Sequence, residues 1–176
     1  IRDRRLKSTH LRLPGEAEVK DGQKQTIDGN KYLDRVMTMP DGSPALLSVD
    51  RKRLLPALLL ATGRREVECL TTMELWPDDR QKDPQNAYSA LFGGQVKKGG
   101  VESKPYYIPL LAPYWLVDKA FLKLDELFPG AYGMSRDAFH QKYAMAINRA
   151  VKEVMPGATA HKLRGLYAQM CAKLYN

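Results

Sequence analysis

Cysteine, tryptophan and histidine are scarce here: two, two and three residues in a chain of 176. Cys69 and Cys171 stand far apart, and neither belongs to a C-x-x-C pair. That excludes a disulfide framework or a zinc site as the basis of the fold and suits buried, reduced thiols of a cytosolic protein. No Asp/Glu/His cluster has metal-ligand spacing, so no metal is assigned. No apolar run approaches the roughly 20 residues that a membrane helix needs. Internal repeats and low-complexity segments are also missing, which removes solenoids from consideration.

What the chain does have is enough apolar material, 44%, for one ordinary domain with a real core. It also has a net charge of +8 and a pI near 9.5. Such a balance permits a nucleic-acid partner without establishing one. The excess is spread along the chain in short clusters: Arg2/Arg4/Arg5/Lys7, Arg51/Lys52/Arg53, Arg64/Arg65 and Lys97/Lys98. Each is either a solvated face or a phosphate contact. The chain opens on Ile1 and stops at Asn176 inside a helical pattern, so it reads as part of a longer protein.

Turn signals punctuate residues 1–44, which read as an N-terminal arm or linker with one short element over Asn30–Met39. Residues 45–176 form the domain. A helix opens near Ser48 or Asp50, with its regular part beginning at about Pro56. A shorter helix covers Arg65–Leu70, and Trp76–Gln85 reads as a polar loop. Ala87–Phe92 and Tyr106–Leu110 have strand character. Helices then follow over Pro113–Leu127, from Ser135 to Pro156, and from Thr159 onward. In the second of these, Phe139, Tyr143, Ile147 and Val151 form a stripe; in the last, Leu163, Leu166, Tyr167, Met170, Cys171 and Leu174 do. The fold class is α+β, mainly α, with one small antiparallel sheet.

Three places carry chemistry. In Leu54–Leu70 (LLPALLLATGRREVECL) an apolar helix breaks at Thr62-Gly63, and Arg64 and Arg65 open the next helix. Arginine is rarely buried without a partner, and a helix start points free N–H groups at an anion. The pair therefore serves either an anion or an ion pair at a solvated end. Gly93-Gly94 and Gly99-Gly100 bracket Lys97 and Lys98, either on a movable hairpin tip or in a plain surface loop. On the last helix His161 and Arg164 share a side with Gly165, Ala168 and Ala172, small residues that admit another surface closely. Together the set suits a DNA phosphate. Two arginines hold its non-bridging oxygens, a lysine protonates the departing 5′ oxygen, and a histidine orients the phosphate or moves protons.

The order Arg, hairpin Lys, H-x-x-R resembles the catalytic domain of tyrosine recombinases. The T-G-R-R turn, the G-Q-x-K-K hairpin and Arg164-Gly165-Leu166-Tyr167 are most similar to the protelomerases, or telomere resolvases. The resemblance spans roughly Leu54 to Tyr175. It implies a helical catalytic domain in which Arg65, Lys97, His161 and Arg164 are catalytic. Lys97 or Lys98 is the acid, and alignment to G-Q-x-K favours Lys97. Some protelomerases carry lysine where this chain has His161, the commoner recombinase choice. Arg51, Lys52, Arg53, Arg64, Lys98 and Lys162 are left as DNA contacts. It further implies cleavage and rejoining through a covalent 3′-phosphotyrosine without metal, ATP or other cofactor, ending in hairpin telomeres. The family's nucleophilic tyrosine lies some tens of residues past H-x-x-R, hence beyond Asn176; neither Tyr167 nor Tyr175 is nominated, and this part alone would be inactive. The implied partner is double-stranded DNA, as a palindromic target or hairpin product, bound by a dimer in the cytoplasm of a bacterial cell, at the nucleoid, with no membrane involved. An integrase of the same superfamily and a non-catalytic DNA-binding fragment remain the alternatives.

Overall fold

A computed structural model describes residues 16–17, 25–26, 29–95 and 104–175. Its centre is α2 (Arg51–Thr62), in which every residue from Leu54 to Thr62 is buried. A helix apolar on all sides belongs in the middle of a core. Asp50 caps it, its carboxylate accepting from the Lys52 N–H at 2.9 Å. The helix thus starts five residues before Pro56 and does not wait for it. The N–H that proline lacks is the one the Lys52 carbonyl would have used, and Lys52 lies on the exposed first turn, within reach of water.

Around α2 pack α1 (Gly29–Met37), α4 (Tyr114–Leu122), α6 (Arg136–Val154) and α7 (Ala160–Tyr175). α1 contributes Val36 to the core. Lys123 separates α4 from a single further turn, α5 (Leu124–Leu127), so the long helix expected there is two. Ser135 caps α6 by accepting from the Ala138 N–H. The stripe Phe139, Tyr143, Ile147, Val151 is buried throughout. Asn148 of α6 in turn accepts from the Ala160 N–H at 3.1 Å and so fixes where α7 begins. On α7 the expected stripe is buried as far as Met170, whereas Leu174 is exposed.

After α2 come α3 (Glu66–Thr71) and three antiparallel strands, β3 (Glu74–Pro77), β4 (Ser89–Gly93) and β5 (Tyr106–Pro109), in that spatial order. β3 corrects the expected loop, because Trp76 pairs with Leu91 inside the sheet. Leu75 points into the core and Trp76 outward, an alternation too short to stand out beside Pro77-Asp78-Asp79. A separate two-residue ladder joins β1 (Glu16–Ala17) to β2 (Gln25–Thr26). Both thiols are free; burial, with the nearby Glu68 charge, pushes that of Cys69 up to about 12.

Candidate active site

The turn between α2 and α3 is built from its own backbone. Gly63 ends α2 at φ 63°, the left-handed conformation that lets the chain reverse without strain. Thr62 donates to the Leu58 carbonyl at 2.8 Å, and its hydroxyl lies 3.3 Å from the Arg64 N–H. Arg65 then stands at the N-cap of α3 with its side chain half exposed. Glu68, itself buried, accepts from the Arg65 N–H at 3.0 Å and reaches its guanidinium at 3.9 Å. This is half a capping box; arginine has no acceptor to complete it. The carboxylate fixes the backbone of Arg65 and sits beneath its side chain. An acid three residues into a helix is a signal the sequence carries, and Glu68 was not singled out from it.

Arg64 turns the other way. It is 9% exposed and donates to the Tyr106 hydroxyl at 2.6 Å and the Thr62 carbonyl at 3.1 Å. Its guanidinium lies over the Phe92 ring, 5.0 Å from the centroid. The surface DNA contact expected of Arg64 is thus not where the structure puts it: stacking on two aromatic rings and two donated bonds hold it inward.

α7 closes on the same turn. A Cβ on Gly63 would stand 2.1 Å from the Tyr167 ring, so Tyr167 packs directly on the glycine backbone. The Tyr167 hydroxyl donates to the Pro109 carbonyl at 2.7 Å, and that of Tyr175 to the Leu110 carbonyl at 2.9 Å. Burial pushes the Tyr167 hydroxyl well above its usual pKa. These tyrosines stitch α7 to the end of β5. Arg164, half-buried, lies one turn before Tyr167, and His161 one turn earlier again, exposed. Arg65, two residues after Gly63, and Arg164, one turn before Tyr167, therefore stand on two elements that meet at the Gly63–Tyr167 contact.

Lys97 and Lys98 lie outside the described residues, but the base of their loop does not. Thr72, the C-cap of α3, donates to the Gly94 carbonyl at 2.6 Å. Gly94, at φ 75°, lies so close to Thr72 that a Cβ would meet its carbonyl oxygen at 1.7 Å. The base at Gly94 is thus docked on the helix that Arg65 caps.

The remaining basic residues lie elsewhere. Arg51, Lys52 and Arg53 begin α2, about 18 Å along the helix from its Gly63 end. Arg51 leans over Phe128, and Lys52 pairs with Glu153 at 3.2 Å. Lys162 donates to the Gly157 carbonyl at 2.9 Å. None of these joins the arginine turn. Among the described residues, no group of three or more His, Cys, Asp or Glu could hold a metal ion.

Residues 25–176 match the model of the telomere resolvase ResT/TelK catalytic domain. Two solved structures of protelomerase TelA are similar to this chain. One, covalently complexed with substrate DNA, is 26% identical with a TM-score of 0.66 and covers 84% of this chain and 48% of its own. The other, an arginine-to-alanine mutant complexed with a DNA hairpin product, is 25% identical with a TM-score of 0.68 and the same coverage. Protelomerase TelK complexed with substrate DNA agrees in fold, at 21% identity, a TM-score of 0.58, and 83% of this chain against 29% of its own. The chain thus spans about half the length of the TelA structures it matches. No functionally curated protein matches it.

Proposed function

From membership of the telomere resolvase ResT/TelK catalytic-domain family, to which this chain belongs, we propose that the full-length protein cuts and reseals double-stranded DNA, leaving covalently closed hairpin ends. Arg65 and Arg164 bind the non-bridging oxygens of the scissile phosphate and hold them more tightly as charge builds in the transition state. A tyrosine outside this chain attacks phosphorus, and Lys97 or Lys98 protonates the departing 5′ oxygen. His161 orients the phosphate or relays the proton. The 5′ hydroxyl of the opposite strand then attacks the phosphotyrosine, releases the tyrosine and closes the hairpin. One phosphodiester is exchanged for another through a covalent ester, so no external energy source is required.

The observation that supports this reading is the convergence of the Arg65 turn and the Arg164 helix on the Gly63–Tyr167 contact, with the base of the lysine loop docked on the same short helix. A palindromic target presents two scissile phosphates related by a two-fold axis, which a dimer matches with two identical sites. Arg51, Lys52, Arg53 and Lys162, away from the reacting centre, are assigned to the DNA backbone on either side.

The test selects a target from a pool of DNA palindromes by trapping covalent protein–DNA adducts on the full-length protein. Adducts that form equally well in EDTA, and that convert to hairpin ends, are expected. Cleavage that needs a divalent ion, or that leaves no adduct, overturns the reading.

A further inference from the structure

The T-G-R-R turn contains two arginines, and the phosphate chemistry uses only the second. The first is held by contacts that all lead to one place. Arg64 donates to the Tyr106 hydroxyl, lies 5.0 Å from the Phe92 ring centroid and 5.9 Å from that of Tyr106. Those two rings meet edge to face, 5.5 Å apart at 80°. Phe92 and Tyr106 are also partners in the β4–β5 ladder, the final pair before the loop that contains Lys97 and Lys98. The Arg64 side chain therefore grips the neck of the lysine hairpin, while its backbone is bonded directly to Arg65.

We infer that Arg64 is a positioning residue that holds the end of the β4–β5 ladder, from which the segment with Lys97 and Lys98 departs, beside the Arg65 turn. The inference rests on the function proposed above. Its planar, five-donor head suits the task. One nitrogen serves the Tyr106 hydroxyl and another the Thr62 carbonyl, while the flat face stacks on Phe92. Lysine has no flat face and cannot do all three. Thr72 holds the other side of the same neck through Gly94. With both grips in place the two ends from which that segment departs, at Gly94 and Tyr106, are tied to the α2–α3 turn and to α3. Losing one grip lets the lysine drift from the 5′ oxygen, and a misplacement of about 1 Å costs up to roughly a hundredfold in rate.

The loss has a chemical signature that general destabilisation lacks. A substrate with sulfur bridging at the 5′ position has a leaving group that needs no proton, so a misplaced acid does not slow it. The variants are Arg64→Met, which keeps reach but loses donors and charge, and Tyr106→Phe, which removes one hydroxyl and keeps the ring. Each is made in the full-length protein and assayed on the selected target in oxygen and sulfur forms. We expect the oxygen substrate to be cleaved roughly ten- to a hundredfold more slowly, and the sulfur substrate at the parent rate. Equal loss on both substrates, or no loss on either, overturns the positioning role. If Arg64→Met fails to fold, Tyr106→Phe decides alone. A parent protein that cleaves neither substrate overturns the proposed function itself, an outcome distinct from these.

Discussion

At the scale of single residues, Arg65 and Arg164 are assigned the same phosphate and should fail alike. Arg65→Ala or Arg164→Ala in the full-length protein is expected to slow covalent adduct formation by about a hundredfold or more, the usual cost of one electrostatic donor. Target binding, read by mobility shift, should fall far less, because other phosphate contacts supply most of the affinity. Lys97→Ala and Lys98→Ala divide differently. The acid is the lysine whose loss the 5′-sulfur substrate repairs; rescue of neither rejects a lysine acid. The motifs that suggest these roles could be picked out of the sequence because each is contiguous, and a T-G-R-R turn or an H-x-x-R pair needs no partner to be seen. The inward turn of Arg64 was not legible. It depends on Phe92 and Tyr106, which come together only when β4 pairs with β5. Local spacing separates a surface arginine from a stacked one only if the distant rings are already known.

Elements were legible where one period ran long enough. The stripe of α6 and the buried run of α2 fixed those helices, while β3 disappeared behind its own proline and two aspartates. The loop after β3 is held by an ion network that gives the sheet a pH dependence. Buried Asp78 accepts from the Arg80 guanidinium through both oxygens at 2.8 Å, and from the Ser89 hydroxyl at 2.6 Å. Arg80 stacks 3.3 Å above the Tyr107 ring. The Arg80 bonds outweigh burial and hold the Asp78 carboxyl far below the usual carboxylate range. A depressed folded-state pKa adds stability above the unfolded value, near 4, and that stability is lost as pH falls through the window below it. Asp78→Asn should therefore melt several degrees below the parent at neutral pH, and the gap should narrow as the solution is acidified below about pH 4. A gap of constant size across that window would show that the charge contributes nothing. Gly63→Ala tests the other junction. A left-handed φ and the Tyr167 ring leave no room for a methyl group. The expected loss is about 2–4 kcal/mol in denaturant melts, from backbone strain and overpacking together.

For the molecule as a whole, the charge of +8 is dispersed, and outside the proposed phosphate site no cluster forms a base-reading motif. Arg51 and Arg53 stand at the start of α2, and His161 and Arg164 on α7, so the cations are shared between two helices, as backbone tracking allows and a single recognition helix does not. DNA affinity of the domain should then be mostly counterion release. If only three phosphates are neutralised, raising salt from about 50 to about 200 mM weakens binding about fortyfold, and each further phosphate multiplies that factor by about 3.5. Affinity should also vary little between duplexes of unrelated sequence, since phosphates carry no base information. Titrating two unrelated duplexes at several salt concentrations measures both quantities at once. An affinity indifferent to salt would remove the phosphate-tracking surface from the account. A strong preference for one duplex at every salt concentration would place base readout inside this domain.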